Sequence, residues 1–267
     1  MAGVPIQWNA EALWEAVYPV LPGFTVEVLP EIDSTNTELM RRARAGQLDP
    51  VLLVAERQTA GRGRLGRDWQ SASQDQNPNL TFSLGLPLAL TDWSGLSLAV
   101  GLSVVQSLHA DLRLKWPNDV WLADRKMGGI LIETASVGEA RYAVIGIGIN
   151  IAPRDAAGLR TPPAALSELW PEATAPLALA RVVLPLVQAL RTFEREGFAP
   201  LRAAFHARDL LYGQEVVCSD GLVGMARGVD ASGALLVHTD HGLKKISSAE
   251  VSVRPTAPPA APTPNSA

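Results

Sequence analysis

One cysteine, Cys218, occurs in the 267 residues. A single thiol excludes an internal disulfide framework and fits a reducing compartment. It ends an apolar stretch, Glu215-Val216-Val217-Cys218, that reads as a strand with an inert core thiol. Histidine is scarce: the four residues His109, His206, His238 and His241 are scattered, with no cysteine at zinc-binding spacing. Neither a Gly-x-Ser-x-Gly nucleophile elbow nor a Walker loop closing in Gly-Lys-Ser/Thr is present. An excess of positive charge is also missing. The formal net charge is −4, which argues against general electrostatic binding to nucleic acid or an anionic membrane. The first ten residues lack a basic region followed by an apolar one, and no run reads as long and apolar enough to span a bilayer. Cytoplasmic residence is the expectation.

What is present is 47% hydrophobic and 19% charged, the composition of a globular protein with a large core. The chain is organised around Gly61-Arg62-Gly63-Arg64-Leu65-Gly66-Arg67, closed by Trp69. Three glycines permit tight turns and a close approach of backbone to ligand, and three arginines bring forked donors suited to carboxylate and phosphate. The loop leaves the apolar run Val51–Glu56, which predicts a buried strand. An anion cradle and a solvated basic turn are equally open on this evidence. Upstream, Asn9–Val20 predicts an amphipathic helix, Phe24–Leu29 a strand, and Thr35 with Glu38 a capping box for a helix through Ala45. Downstream, strands are expected at Leu80–Leu86, Leu112–Trp116, Ile130–Glu133 and Tyr142–Asn150. Asp92 is expected to cap a helix to about Ala110, Leu177–Glu196 to form a helix kinked at Pro185, and Leu201–Arg208 a further one. Ser71–Asn79 reads as an exposed loop, and Arg154–Pro176 as irregular.

Mixed strands and helices predict α+β architecture over residues 1–211. From residue 212 the spacing changes to five short strand candidates separated by Asp220-Gly221, Ser232-Gly233 and Asp240-His241-Gly242. That pattern predicts a small β-barrel over 212–254. The Pro/Ala-rich tail, 255–267, is expected to be disordered.

Several polar clusters end or flank these strands: Gln58 with the loop, Lys115-Trp116-Pro117-Asn118-Asp119, Lys126, and Asn150. Ser34, Thr35 and Asn36 sit where a helix N-terminus offers free N–H groups, although capping alone would explain them. If the strand ends converge, the chemistry is cationic (Arg62, Arg64, Arg67, Lys115, Lys126) around one carboxylate, Asp119. Such a set suits a substrate with several negative charges and a divalent metal held through carboxylate and phosphate.

The ordered set is more specific than its parts. Asp33-Ser34-Thr35-Asn36, Gln58, the glycine/arginine loop with Trp69, Lys115–Asp119, Lys126-Met127-Gly128-Gly129-Ile130-Leu131-Ile132-Glu133, and Gly146-Ile147-Gly148-Ile149-Asn150 resemble the motifs of biotin protein ligases. The likeness is strong over about 31–150 and weaker to Arg254. It implies a catalytic domain of the class II aminoacyl-tRNA synthetase-like, biotin/lipoate ligase type, followed by an SH3-like barrel. It also implies the activity. The biotin carboxylate attacks the α-phosphate of ATP to give biotinyl-5′-AMP, and a lysine of a biotin carboxyl carrier protein then attacks the acyl carbon. By the same resemblance Ser34, Thr35, Asn36, Gln58, Arg62, Gly63, Arg64 and Lys126 should bind biotin. Arg64, Arg67, Trp69, Lys115, Asn118, Asp119, Asn150 and Arg254 should bind ATP, with Lys126, Arg64 and Asp119 catalytic and Asp119 the Mg²⁺ contact. About thirty residues precede Asp33, too few for the helix-turn-helix domain of some members, so no DNA partner is expected. A homodimer is possible. The rivals are a lipoate-type acyl-protein ligase and a non-catalytic biotin sensor.

Overall fold

The computed structural model describes residues 6–69, 79–154, 163–247 and 253–255. A seven-stranded sheet carries the larger part of the chain. Its strands are β1 (Thr25–Ile32), β2 (Val51–Gln58), β3 (Asn79–Pro87), β4 (Leu112–Lys115), β5 (Asp119–Leu122), β6 (Arg125–Val137) and β7 (Ala140–Asn150), in the order β1-β2-β3-β7-β6-β5-β4. The β1–β2 pair is parallel and the other pairs antiparallel. Among the described residues five α-helices accompany it: α1 (Ala10–Val17), α2 (Thr35–Arg44), α3 (Leu96–Leu108), α4 (Ala175–Glu196) and α5 (Arg202–His206).

Side chains alternate across the sheet with a period of two. Leu52 and Val54 of β2, Leu80, Phe82 and Leu84 of β3, and Ala143, Ile145, Ile147 and Ile149 of β7 join the main core with α1, α3 and α4. The opposite face begins apolar, where Val51, Leu53, Tyr142 and Val144 pack under Leu39, Met40 and Ala43 of α2. It then changes character. The next residues on that face are Thr81 and Ser83 of β3, Gly146 and Gly148 of β7, and Gly129 of β6. A cavity opens where large apolar side chains give way to small and polar ones.

Some elements differ from expectation. Ser34, not Thr35, caps α2 by accepting from Thr37 N at 3.4 Å, and Glu38 instead pairs with Arg41 and Arg42. Asp92 closes a local turn on Ser94 N, and α3 starts after Gly95, whose φ of 80° suits glycine. Helix α4 runs unbroken through Pro185 and does satisfy the length and hydropathy of a membrane span, contrary to the sequence reading. Its residues Ala178, Leu179, Val182, Leu186, Leu190 and Phe193 form one buried stripe, so in this fold it is a core helix. Of the expected exposed loop Ser71–Asn79, residues 71–78 lie outside the described residues, while Asn79 is buried and opens β3; of the expected irregular stretch Arg154–Pro176, residues 155–162 lie outside them and α4 already starts at Ala175.

The second sheet comprises β8 (Glu215–Cys218), β9 (Val223–Val229), β10 (Leu235–Thr239), β11 (Gly242–Ile246) and β12 (Val253–Pro255), in the order β11-β10-β9-β8-β12. Among the described residues β11 and β12 remain its two edges, so the predicted barrel is an open antiparallel sheet here. Pro255, expected in the tail, ends β12; residues 256–267 lie outside the described set. The sheets are locked together by Trp116, whose buried Nε1 donates to Gly233 O at 3.0 Å. Gly233 itself lies against Gly95 so closely that a Cβ would come within 2.8 Å of the Gly95 Cα.

Candidate active site

Pairing register decides what can stand above the sheet. Ser83, Gly146 and Leu131 lie abreast on β3, β7 and β6; one step along, Thr81, Gly148 and Gly129 do the same. Asn36 occupies the space above Gly146, where a Cβ would fall 2.1 Å from its Oδ1. Trp69 occupies the space above Gly148, where a Cβ would fall 2.5 Å from the indole. The two strand glycines thus admit one residue from the α2 N-terminus and one from the glycine/arginine loop.

That loop folds back on itself. Trp69 N donates to Gly61 O at 2.9 Å, Gly63 N to Arg67 O at 2.6 Å, and Arg67 N to Arg64 O at 3.2 Å. Leu65 sits at φ 57° and is largely exposed, a left-handed conformation that costs a β-carbon residue roughly 1–2 kcal/mol. The Arg154 guanidinium lies 5.7 Å from the Trp69 ring centroid, on which it makes a cation–π contact.

A cavity of about 180 Å³ gathers the clusters into one place. Ser34, Thr35, Asn36, Gln58, Arg62, Gly63, Arg64, Arg67, Trp69, Lys115, Asn118, Asp119, Lys126 and Arg254 all line it. Arg254 arrives on β12 of the second sheet, paired with Val217 of β8. Asn150 is placed differently. It is buried outside the lining, and its Nδ2 donates to Ala164 O at 3.0 Å, tying the end of β7 to the chain entering α4.

The cavity has two chemically distinct ends. At one, Thr35 N donates to Gln58 Oε1 at 2.8 Å and Thr35 Oγ1 lies 3.1 Å from the same oxygen. At the other, Lys126 Nζ pairs with Asp119 Oδ1 at 2.7 Å, over Gly129, and Arg64 Nη1 donates to Asn118 Oδ1 at 3.4 Å. Asn118 is fixed in turn by its Nδ2, which donates to Ile130 O at 2.8 Å. Lys115 lies 4.8 Å from the centroid of the Trp121 ring. Burial pushes the Lys115 amine below its usual range; Asp119 opposes this, while Lys126, Arg254 and Arg67 add to it. Burial likewise disfavours the Arg64 charge, partly offset by Asp119. This end holds more positive charge than it can neutralise, so a polyanion is its natural complement.

Among the described residues no three His, Cys, Asp or Glu side chains cluster as a metal cage. Asp119 and Asp68 are the carboxylates of the lining. Asp119, the carboxylate paired with Lys126, fits a Mg²⁺ ion carried mainly by phosphate oxygens. Ser83, Glu133 and Arg154 were not assigned roles from sequence. Ser83 is a buried hydroxyl in an apolar strand, and only the strand register brings it beside Asn36.

The Biotin/lipoate A/B protein ligase family model matches residues 28–150, and the biotin protein ligase C-terminal domain model matches 213–254. The bifunctional ligase/repressor BirA of Escherichia coli is 38% identical over 250 residues, covering 88% of this chain and 75% of that protein. The biotin–[acetyl-CoA-carboxylase] ligase of Mycobacterium tuberculosis is 32% identical, covering 85% and 88%. A solved structure of the Aquifex aeolicus biotin protein ligase in complex with biotin and ATP aligns with TM-score 0.72 at 29% identity, covering 86% of this chain and 99% of that one. With a convergent cavity, two matched family models and relatives of this identity and coverage, the chain belongs to the biotin protein ligase family.

Proposed function

We infer that this chain is an ATP-dependent ligase that activates biotin as biotinyl-5′-AMP and transfers the biotinyl group to a lysine of a biotin carboxyl carrier protein, that of acetyl-CoA carboxylase. The observation carrying the inference is one cavity that joins a neutral hydrogen-bonding wall, Ser34, Thr35, Asn36 and Gln58, to a cationic end built from Arg64, Arg67, Lys115, Lys126 and Arg254. The relatives support biotin over lipoate and catalysis over sensing alone, since those of Mycobacterium tuberculosis and Paracoccus denitrificans are named as biotin–[acetyl-CoA-carboxylase] ligases and that of Escherichia coli as a ligase as well as a repressor. We assign residues 1–211 to the catalytic domain and 212–254 to a smaller domain that supplies Arg254.

In the first step a biotin carboxylate oxygen forms a bond to the α-phosphorus of ATP and pyrophosphate leaves. Lys126 and Arg64 stabilise the negative charge that gathers on the α-phosphate oxygens, while Trp69 packs on the adenine. Lys115, Arg67 and Arg254 complement the remaining phosphates. Asp119 would hold a Mg²⁺ ion, which would supply neutralisation of phosphate charge. In the second step the carrier lysine attacks the acyl carbon, AMP leaves and the amine loses a proton; assisting that loss is the alternative role for Asp119. Neither step needs a covalent enzyme nucleophile, which accounts for a site rich in arginine and lysine and poor in Ser–His pairs.

Biotin-dependent exchange of pyrophosphate into ATP tests the first step. The wild-type chain should catalyse exchange with biotin and not with lipoate. Lys126→Ala should slow it about 10²–10³-fold, the usual loss on removing one preorganised donor to a developing charge. Equal exchange by the variant would remove Lys126 from the catalytic role.

A further inference from the structure

Behind the wall assigned to biotin, a chain of hydrogen-bonding groups runs across three strands, from half-buried Glu133 through buried Asn36, Ser83 and Thr35 to half-buried Gln58. Asn36 Nδ2 donates to Leu131 O at 3.2 Å and to Glu133 Oε2 at 2.9 Å. Both partners are acceptors only, so the carboxamide has one orientation, and both of its N–H groups are consumed inside the protein. Its Oδ1 therefore faces the hydroxyl of Ser83, at 2.6 Å.

Hydrogen counting then fixes the direction of the relay. Three oxygen–oxygen contacts line up: Asn36 Oδ1 to Ser83 Oγ at 2.6 Å, Ser83 Oγ to Thr35 Oγ1 at 2.7 Å, and Thr35 Oγ1 to Gln58 Oε1 at 3.1 Å. Two hydroxyls supply only two hydrogens. The carboxamide oxygen cannot donate, so the 2.6 Å contact needs the Ser83 hydrogen, and the 2.7 Å contact then needs the Thr35 hydrogen. The longest contact goes without, and Gln58 Oε1 stays anchored by Thr35 N at 2.8 Å. The oxygen of Gln58 is turned inward, so its Nε2 is the end left to donate. Asn36 keeps an acceptor lone pair.

We propose that Ser83 and Glu133 are positioning residues that set the hydrogen-bond polarity of this wall, presenting an acceptor at Asn36 and a donor at Gln58 to a cyclic urea. This rests on the reading of the cavity as the biotin site. A urea offers N–H to the acceptor and C=O to the donor; a carboxamide free to flip would present the wrong group half the time. Ser83 is fully buried and Asn36 nearly so, which makes each misplaced group costly.

Steady-state kinetics on S83A, E133L and the double variant test the proposal. Each single variant should raise KM for biotin about tenfold, the loss of one buried hydrogen bond. Values of kcat and of KM for ATP should stay within about twofold. Because both act through Asn36, the double variant should raise biotin KM by clearly less than the product of the two single effects. Desthiobiotin, which keeps the urea and lacks the thioether ring, should show the same penalties. Unchanged biotin KM in either single variant, equal losses for ATP, or multiplicative effects would overturn the relay. Should S83A not fold, E133L alone still decides through its split between the two KM values. If the wild-type chain makes no biotinyl-adenylate, the function assignment fails rather than the relay.

Discussion

Gly146 and Gly148 differ by two positions on one strand face, yet they serve opposite ends of the cavity. The Cβ of an alanine at 146 would lie 2.1 Å from Asn36 Oδ1, and Asn36 cannot retreat because Glu133, Leu131 and Ser83 hold it. The Cβ of an alanine at 148 would lie 2.5 Å from the Trp69 indole instead. Gly146→Ala should therefore raise the Kd for biotin at least about tenfold with little change for ATP, and Gly148→Ala should do the reverse. Isothermal titration of each variant with each ligand reads the contrast; matching losses for both ligands would mean the glycines serve only sheet packing. Most lining residues were legible from sequence because they sit in contiguous polar motifs that interrupt apolar strands. Ser83 and Glu133 were not, since they become neighbours of Asn36 only through the β3–β7–β6 register.

At the scale of elements, the link between α5 and β8 carries a titratable group. Asp209 pairs with Leu114 as an isolated bridge, flanked by Leu114 N donating to Arg208 O at 2.8 Å and Leu210 N to Leu114 O at 2.9 Å. Its Oδ1 accepts from Leu211 N, while buried Oδ2 has no partner. Burial pushes this carboxyl up to about 6, against hydrogen bonds from Leu211 and Tyr212 that lower it. The sign follows from proton uptake: between the unfolded value near 4 and about 6 the folded state holds more protons than the unfolded chain. Stability from this site is complete at low pH and is lost as pH rises through about 6. Asp209→Asn removes the buried charge and can keep the bond to Leu211 N. Thermal denaturation at pH 7.5 should show the variant more stable by roughly 1–2 kcal/mol, a gain that fades towards pH 4. A pH-independent difference would assign the effect to packing. Element types were largely legible, because apolar runs and periodicity are local. Boundaries were less so: Gly95 rather than Asp92 precedes α3, and α4 absorbs Pro185 because its buried stripe packs on both sides of it.

Across the whole molecule, the cavity is assembled from parts remote in sequence: the α2 N-terminus, a loop after β2, the β4–β5 turn, the start of β6 and the final strand. Arg254 enters only because the second sheet docks through Trp116 and Gly233. That docking was not legible, as neither residue signals its partner, and the closure expected of the small domain depended on strand pairing that spacing alone does not specify. The central claim is that these parts together perform adenylation and transfer. Mass spectrometry should be run on the purified chain after incubation with biotin, ATP and Mg²⁺, and again after addition of a biotin carboxyl carrier domain. A retained biotinyl-5′-AMP, followed by a carrier heavier by one biotin, is the predicted result. A chain that forms no biotinyl-adenylate, with or without carrier, would contradict the account.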